Sequence, residues 1–248
     1  MKSWYSGLCL AAGLLSLACS EAGAGVARQM ERLDRGLVAV SQGGGKVFLS
    51  WRMWGTDPSN VAFNVYRDGK LVNSAPITGA TNLVDADGST SAKYTVRAIV
   101  NGKEESADPA VTTWASQTLS IALKSPGASW QPNDLSVGDL NGDGKYELIV
   151  KWYPDNAKDN SQSGATDNTI LDAYTLDGTF LWRIDLGKNI RSGAHYTQFQ
   201  VADYDGDGKA ELIVKTAPGT KDGAGKYLST GPAAGAENTK DYRNGSGY

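Results

Sequence analysis

Val47 to Arg52 alternates apolar and polar positions, as a strand with one buried face does, and Phe63 to Arg67 repeats the pattern. Asp68-Gly69 supplies a tight turn into Lys70-Leu71-Val72. Tyr94 to Val100 is another such run and ends at Asn101-Gly102, a second hairpin signal. Short strands with turn signals at intervals of about ten residues predict an all-β sandwich over residues 28–115.

Trp51 and Tyr94 are the expected core aromatics of this unit, which looks like a fibronectin type III-like module with a spacer or packing role. Residues 116–133 hold Pro126, Gly127 and Pro132 and read as a junction. Beyond it, strands are expected at 135–138, 147–152, 169–175 and 179–186, with Leu176-Asp177-Gly178 turning the last pair. Four short antiparallel strands make one blade of a β-propeller. A second blade opens at Thr197 and contributes two strands before Tyr248. Blades bury their faces on neighbours, so residues 134–248 are expected to be the first one and a half blades of a longer, calcium-stabilised propeller.

The propeller reading rests on a duplicated string. Leu135 to Lys151 reads LSVGDLNGDGKYELIVK and Phe199 to Lys215 reads FQVADYDGDGKAELIVK, which agree at 11 of 17 positions. Asp139, Asn141, Asp143, the Lys145 backbone carbonyl and Glu147 stand at positions 1, 3, 5, 7 and 9 of the first loop. Asp203, Asp205, Asp207, Lys209 and Glu211 stand at the same positions of the second. Oxygen donors at alternate positions, with glycines between them to let the chain curl, suit a hard cation such as Ca²⁺. An EF-hand is excluded, because Val150 and Val214 occupy position 12 and the flanks are strands. The competing reading is a pair of solvated Asp-Gly turns. Three carboxylates and an amide in the first loop, against four carboxylates in the second, predict that the second repels itself more without metal.

Composition narrows the class further. Forty percent hydrophobic and 21 percent charged residues are ordinary for a globular chain, while 30 glycines and seven tryptophans fit turn-rich β structure. A net charge of −3 and no basic stripe argue against a nucleic-acid partner. Lys2, the apolar run Leu8–Ala18 and the triplet Ala22-Gly23-Ala24 form an expected secretory signal peptide over residues 1–24, too short to span a bilayer. The alternative for this run is a buried N-terminal helix. Cys9 and Cys19 are the only cysteines, so the exported chain would carry no disulfide. A lipid anchor at Cys19 is not favoured, since Ser16 stands where a lipoprotein signal usually has Leu. The expected location is secreted or cell-surface, without a membrane span.

Two segments are candidates for ligand contact. The connection 153–164 is long for a hairpin and dense in polar groups, among them Asp155, Asn156, Lys158, Asp159, Asn160 and Gln162. Trp152 and Tyr153 at its root could stack on sugar rings. A solvated insertion is the alternative. The second segment, 191–198, carries Arg191 and the chain's only histidine, His195. A lone histidine is more often structural than catalytic, and Arg191 or Lys151 could equally be surface charges. No nucleophile elbow, phosphate loop or zinc cluster is present in the sequence.

Several strings resemble the rhamnogalacturonan lyases of polysaccharide lyase family eleven: Arg28 to Val40, Leu49 to Arg52, Phe63 to Gly69, Lys158 to Gly164, Leu181 to Gly187 and Gly193 to Phe199. The resemblance covers residues 28–248 and implies a secreted bacterial enzyme acting on the pectin backbone of alternating rhamnose and galacturonate. It also implies a small β domain followed by an eight-bladed propeller with several Ca²⁺ ions. The implied reaction is β-elimination: a cation neutralises the galacturonate carboxylate, a Lys or Arg base removes the proton on carbon 5, and the oxygen on carbon 4 leaves. The family's principal basic residues come from later blades, so no catalytic residue maps onto this sequence, and the 248-residue piece is expected to be inactive. Asp172 and the 155–162 loop are expected substrate or ion contacts, with Arg191 and His195 supporting the cleft. A monomer is expected. The alternative function is a non-catalytic calcium-binding propeller for adhesion or carbohydrate binding.

Overall fold

The structure, a computed structural model, describes residues 31–245. The expected signal peptide and Cys19 lie outside the described residues. Those residues are all-β: they contain strands, turns and irregular segments but no helix, and thus no helix long and apolar enough to cross a membrane.

Nine strands occupy the first half: β1 (Val38–Gly43), β2 (Lys46–Ser50), β3 (Ala62–Arg67), β4 (Lys70–Leu71), β5 (Ile77–Thr78), β6 (Asn82–Asp85), β7 (Lys93–Val100), β8 (Lys103–Glu104) and β9 (Val111–Thr112). They form two antiparallel sheets, one ordered β1-β2-β6 and one ordered β4-β3-β7-β8, with β5 on β3 and β9 on β7. Alternation does what the sequence asks of it. Val47 and Leu49 of β2 and Tyr94, Val96 and Ala98 of β7 turn into one shared core with Trp51, Phe63 and Val65. Trp51 meets Phe63 edge to face at 5.4 Å.

Two buried charges tie this core. The Arg35 guanidinium donates twice to Asp57, at 2.8 Å each, and lies 3.9 Å over the Trp54 ring. Their side chains are 3% and 4% exposed. The Arg35 bonds hold the Asp57 carboxyl below the usual carboxylate range, against the upward pull of burial. Asp85 accepts from Tyr94 Oη at 2.8 Å and from Arg67 Nη1 at 2.6 Å. Burial, then the Asp85 bond, push the Tyr94 phenol up.

In the second half β10 (Trp130–Gly138), β11 (Glu147–Pro154), β12 (Ile170–Tyr174) and β13 (Phe180–Asp185) pair in chain order as an antiparallel meander. β14 (Phe199–Ala202) and β15 (Glu211–Val214) form a separate hairpin. Within the expected junction, Trp130, Gln131 and Pro132 already pair with β11. Pro132 is tolerated because β10 is an edge strand and its register shifts between Pro132 and Leu135.

One face of the meander buries Val150, Trp152, Ile170 and Tyr174 together with Trp130 and Phe180. The Tyr174 hydroxyl joins the Lys124 backbone there, so the connecting segment lies across this face. The opposite face buries Leu171, Leu186 and Ile190 against Phe199, Leu212 and Val214 of the second hairpin. The two repeats therefore stack sheet on sheet. Gly138 sits at the contact, where an added Cβ would fall 2.6 Å from both Ala210 Cβ and Val201 Cγ1.

Two outcomes follow from this packing. Gly138→Ala is expected to cost about 1–3 kcal/mol in urea unfolding, because the added methyl must push the repeats apart. An unchanged midpoint would show that they do not touch there. The depressed Asp57 carboxyl makes the Arg35 pair's contribution fully present above the unfolded carboxylate value, roughly pH 4, and lost as pH falls through the lower folded value. Asp57→Ala is expected to cost about 3–5 kcal/mol at neutral pH, since it leaves Arg35 buried and unpaired, and to flatten that acid limb in pH-dependent melts.

Candidate functional site

Each repeat turns from its first strand into its second through one acidic loop. Gly142, Gly144, Gly206 and Gly208 all have φ between 81° and 93°, a region open to glycine and costly for other residues. That backbone lets one carboxylate sit at the hub of each loop. Asp139 accepts from the N–H groups of Gly142, Asp143 and Gly144 at 2.7, 3.1 and 2.8 Å. Asp203 accepts from those of Gly206 and Gly208 at 2.6 and 3.0 Å. Smaller turns follow the same logic: Asn141 Oδ1 accepts from Asp143 N, Asp143 from Lys145 N, Asp205 from Asp207 N and Asp207 from Lys209 N.

The ninth position closes both loops. Glu147 accepts from Leu140 N at 2.8 Å and from Asn141 Nδ2 at 3.1 Å, and Glu211 accepts from Tyr204 N at 2.9 Å. In the second loop, oxygens of Asp203, Asp205 and Glu211 all lie within 4.8 Å of one another. In the first, Asn141 replaces one of those carboxylates and is bonded directly to Glu147. Burial, with Asp143 and Asp139 adding repulsion, pushes the Glu147 carboxyl up. Among the described residues no Lys, Arg or His forms an ion pair with any carboxylate of either loop. Hard oxygen donors, mutually close and without a counter-charge among the described residues, fit a divalent cation of the Ca²⁺ type.

The loops also touch each other and the sandwich. Ala210 N donates to Asp139 O at 2.7 Å. The strap preceding β1 crosses both loops: Asp34 N donates to Gly144 O at 2.8 Å and Arg32 N to Gly208 O at 3.5 Å. Arg52 of the sandwich lies 4.9 Å over the Tyr146 ring of the first loop. The course of this strap was not legible in the sequence, because Arg32 and Asp34 carry no periodic signal and their partners lie more than a hundred residues away.

The polar connection 155–164 is ordered by its neighbours. Gln131 Nε2 donates to Asp155, Asn156 Oδ1 accepts from Asp167 N, and Gln162 Oε1 accepts from Asp159 N. Asn160 is exposed on the same loop, and Lys158 N donates to Ser192 O. Asp159 accepts from His195 twice, at the backbone N (3.1 Å) and at Nδ1 (2.9 Å). These His195 bonds hold the Asp159 carboxyl below its usual range.

The geometry places the residues singled out in the sequence. Arg191 is buried, which removes the surface-charge alternative, and its guanidinium donates to the backbone carbonyls of Lys158, Asp159, Gln162 and Gly164. Lys151 is fully buried, bonded to Asp134 at 2.5 Å and to Tyr196 O at 3.0 Å. Asp172 has no exposed surface: it faces Arg183 across the strand pair, takes two bonds from that guanidinium at 2.7 Å, and accepts from Tyr174 at 2.9 Å. It braces β12 on β13. Trp152 is packed in the core, so only Tyr153, half-buried, remains near the loop root.

Among the described residues the fold is all-β, two antiparallel sheets sharing one core followed by a stacked meander and hairpin with twin acidic loops, which defines a modular β protein. Residues 122–248 match the C-terminal domain of rhamnogalacturonan lyase family 11, and residues 28–114 match the β-sheet domain of rhamnogalacturonan I lyases. The chain belongs to rhamnogalacturonan lyase family 11. It is 54% identical over 238 residues to rhamnogalacturonan endolyase YesW of Bacillus subtilis (strain 168), covering 92% of this chain and 37% of that protein. It is 48% identical over 229 residues to rhamnogalacturonan exolyase YesX of the same organism, covering 89% and 36%. The crystal structure of YesW superposes with a TM-score of 0.80 at 55% identity, over 89% of this chain and 38% of the other. The Bacillus licheniformis rhamnogalacturonan lyase PL11 gives 0.80 at 54%, with the same coverage. The chain thus spans little more than a third of the length of these relatives.

Chelation is expected to lower the melting temperature, and hydrogen exchange should show the second loop, with its additional carboxylate, losing protection before the first. Equal protection of both loops with and without chelator would remove the metal assignment.

Proposed function

We propose that this chain is the N-terminal part of a secreted, Ca²⁺-dependent lyase that cleaves the rhamnogalacturonan backbone of pectin by β-elimination at galacturonate. The observation that carries the reading is family membership across both halves, joined to acidic loops whose donor chemistry suits Ca²⁺. The β1-β2-β6 and β4-β3-β7-β8 sheet orders support a fibronectin type III-like module over 28–115. The stacked meander and hairpin support the start of a propeller over 134–248, with 116–133 as connection. Leu135, Val137 and Ile213 are exposed apolar positions on its strands, the kind of surface a neighbouring blade covers.

Bound Ca²⁺ would neutralise the acidic loops themselves and brace the repeats, held by Asp139, Asn141, Asp143, the Lys145 carbonyl and Glu147 and by Asp203, Asp205, Asp207, the Lys209 carbonyl and Glu211. The chain's own residues shape a binding face. Arg191 folds the 158–164 loop around its guanidinium, Lys151 anchors the 194–196 backbone, and Asp155, Asn160 and His195 stand on the exposed side. Elimination requires a base for the carbon-5 proton, and we assign that role to no residue of this chain.

The test is incubation of the intact protein with rhamnogalacturonan, following the ultraviolet absorbance of the new carbon–carbon double bond. A rise that chelator abolishes and Ca²⁺ restores is expected. Tight polysaccharide binding without any absorbance rise would favour the non-catalytic, carbohydrate-binding alternative.

A further inference from the structure

Segment 191–197 is held more firmly than a solvent-facing connection requires. Arg191 caps four carbonyls of the neighbouring loop. Lys151, with no exposed surface, reaches up from β11 to Tyr196 O at 3.0 Å and Ala194 O at 3.4 Å, on either side of His195. Gly193 lies so close to Lys158 O that a Cβ there would fall 2.6 Å from it. Thr197 closes the segment at φ 60° and donates through Oγ1 to Arg191 O at 2.8 Å. A β-branched residue in the left-handed region is strained, and such strain persists only where its surroundings over-determine it.

What the clamp presents is one side chain. The His195 ring is 86% exposed, yet its Nδ1 is fixed 2.9 Å from Asp159 Oδ2. A carboxylate only accepts, so the Nδ1 proton faces Asp159, and in the neutral ring the Nε2 lone pair points away from it. Stacking in a core explains none of this, since the ring touches solvent. Fixing an exposed acceptor in advance removes the ordering cost that a ligand would otherwise meet.

We infer that His195 is a preorganised binding residue whose Nε2 accepts a hydrogen bond from a sugar hydroxyl of the pectic chain, with Asp159, Arg191, Lys151 and Thr197 as its positioning residues. This deepens the lyase reading and rests on it for the identity of the sugar.

Because the sequence holds one histidine, its imidazole NMR signals report this residue alone. Titration of the Ca²⁺-loaded chain with rhamnogalacturonan oligosaccharides is expected to shift those signals saturably. His195→Ala is expected to raise Kd about 5- to 10-fold, as for one lost hydrogen bond, while the melting temperature stays within about 2 °C of the parent. Thr197→Gly should keep or raise the melting temperature by relieving the strain, yet broaden the imidazole signals and weaken binding severalfold. A merely structural role would not separate those two readouts. Imidazole signals that stay put at excess oligosaccharide, or a His195→Ala chain that binds like the parent, overturn the inference. If the intact protein still yields the unsaturated product, the lyase reading survives that result; absence of both product and oligosaccharide affinity overturns both.

Discussion

Two carboxylates, Asp139 and Asp203, are each folded into a collar of backbone N–H groups where the two repeats and the strap before β1 meet. Their loops end the first strand of each repeat, bond to one another through Ala210 and Asp139, and carry the strap that leads into the sandwich. The constraint is electrostatic. Three carboxylates within 4.8 Å, without a paired lysine or arginine among the described residues, raise the free energy of the folded state unless a cation or a proton intervenes. The strap and the second repeat both bond to these loops, through Gly144 O, Gly208 O and Asp139 O.

A different means of order operates at the polar face. There the protein uses its own cations, Arg191 and Lys151, and aims them at backbone carbonyls. Burying a guanidinium or an ammonium is costly unless its hydrogen-bonding capacity is met. Four loop carbonyls meet it for Arg191, and Asp134 with two carbonyls meets it for Lys151. The loops thereby acquire the rigidity of strands without their periodicity. Elsewhere the fold uses carboxylates instead: Asp57 meets Arg35 beside the first core, and Asp172 meets Arg183 across β12 and β13.

Legibility divided along a physical line. The sandwich strands, their turns and the core roles of Trp51 and Tyr94 could be read because alternation and Asp-Gly or Asn-Gly turns act over a few residues. The acidic loops could be read because a duplicated spacing reports a local ring closure. Pro132 misled, since a proline marks a break in composition while an edge strand with a register shift accommodates it. The surroundings of Trp152, Lys151 and Arg191 could not be read, because residue type alone leaves both surface and interior open and only the partners they meet decide between them.

By itself the sequence determined the all-β class, the repeat, the acidic donor sets and the family, because each is written in residue type and short-range spacing. Tertiary structure alone decided that Asp172 braces a sheet, that the strap crosses both loops, and that His195 is fixed yet exposed. Those outcomes depend on pairs 11 to 176 residues apart, such as Asp172 with Arg183 or Arg32 with Gly208. No local pattern encodes which of several chemically suitable partners a folded chain brings within three ångströms.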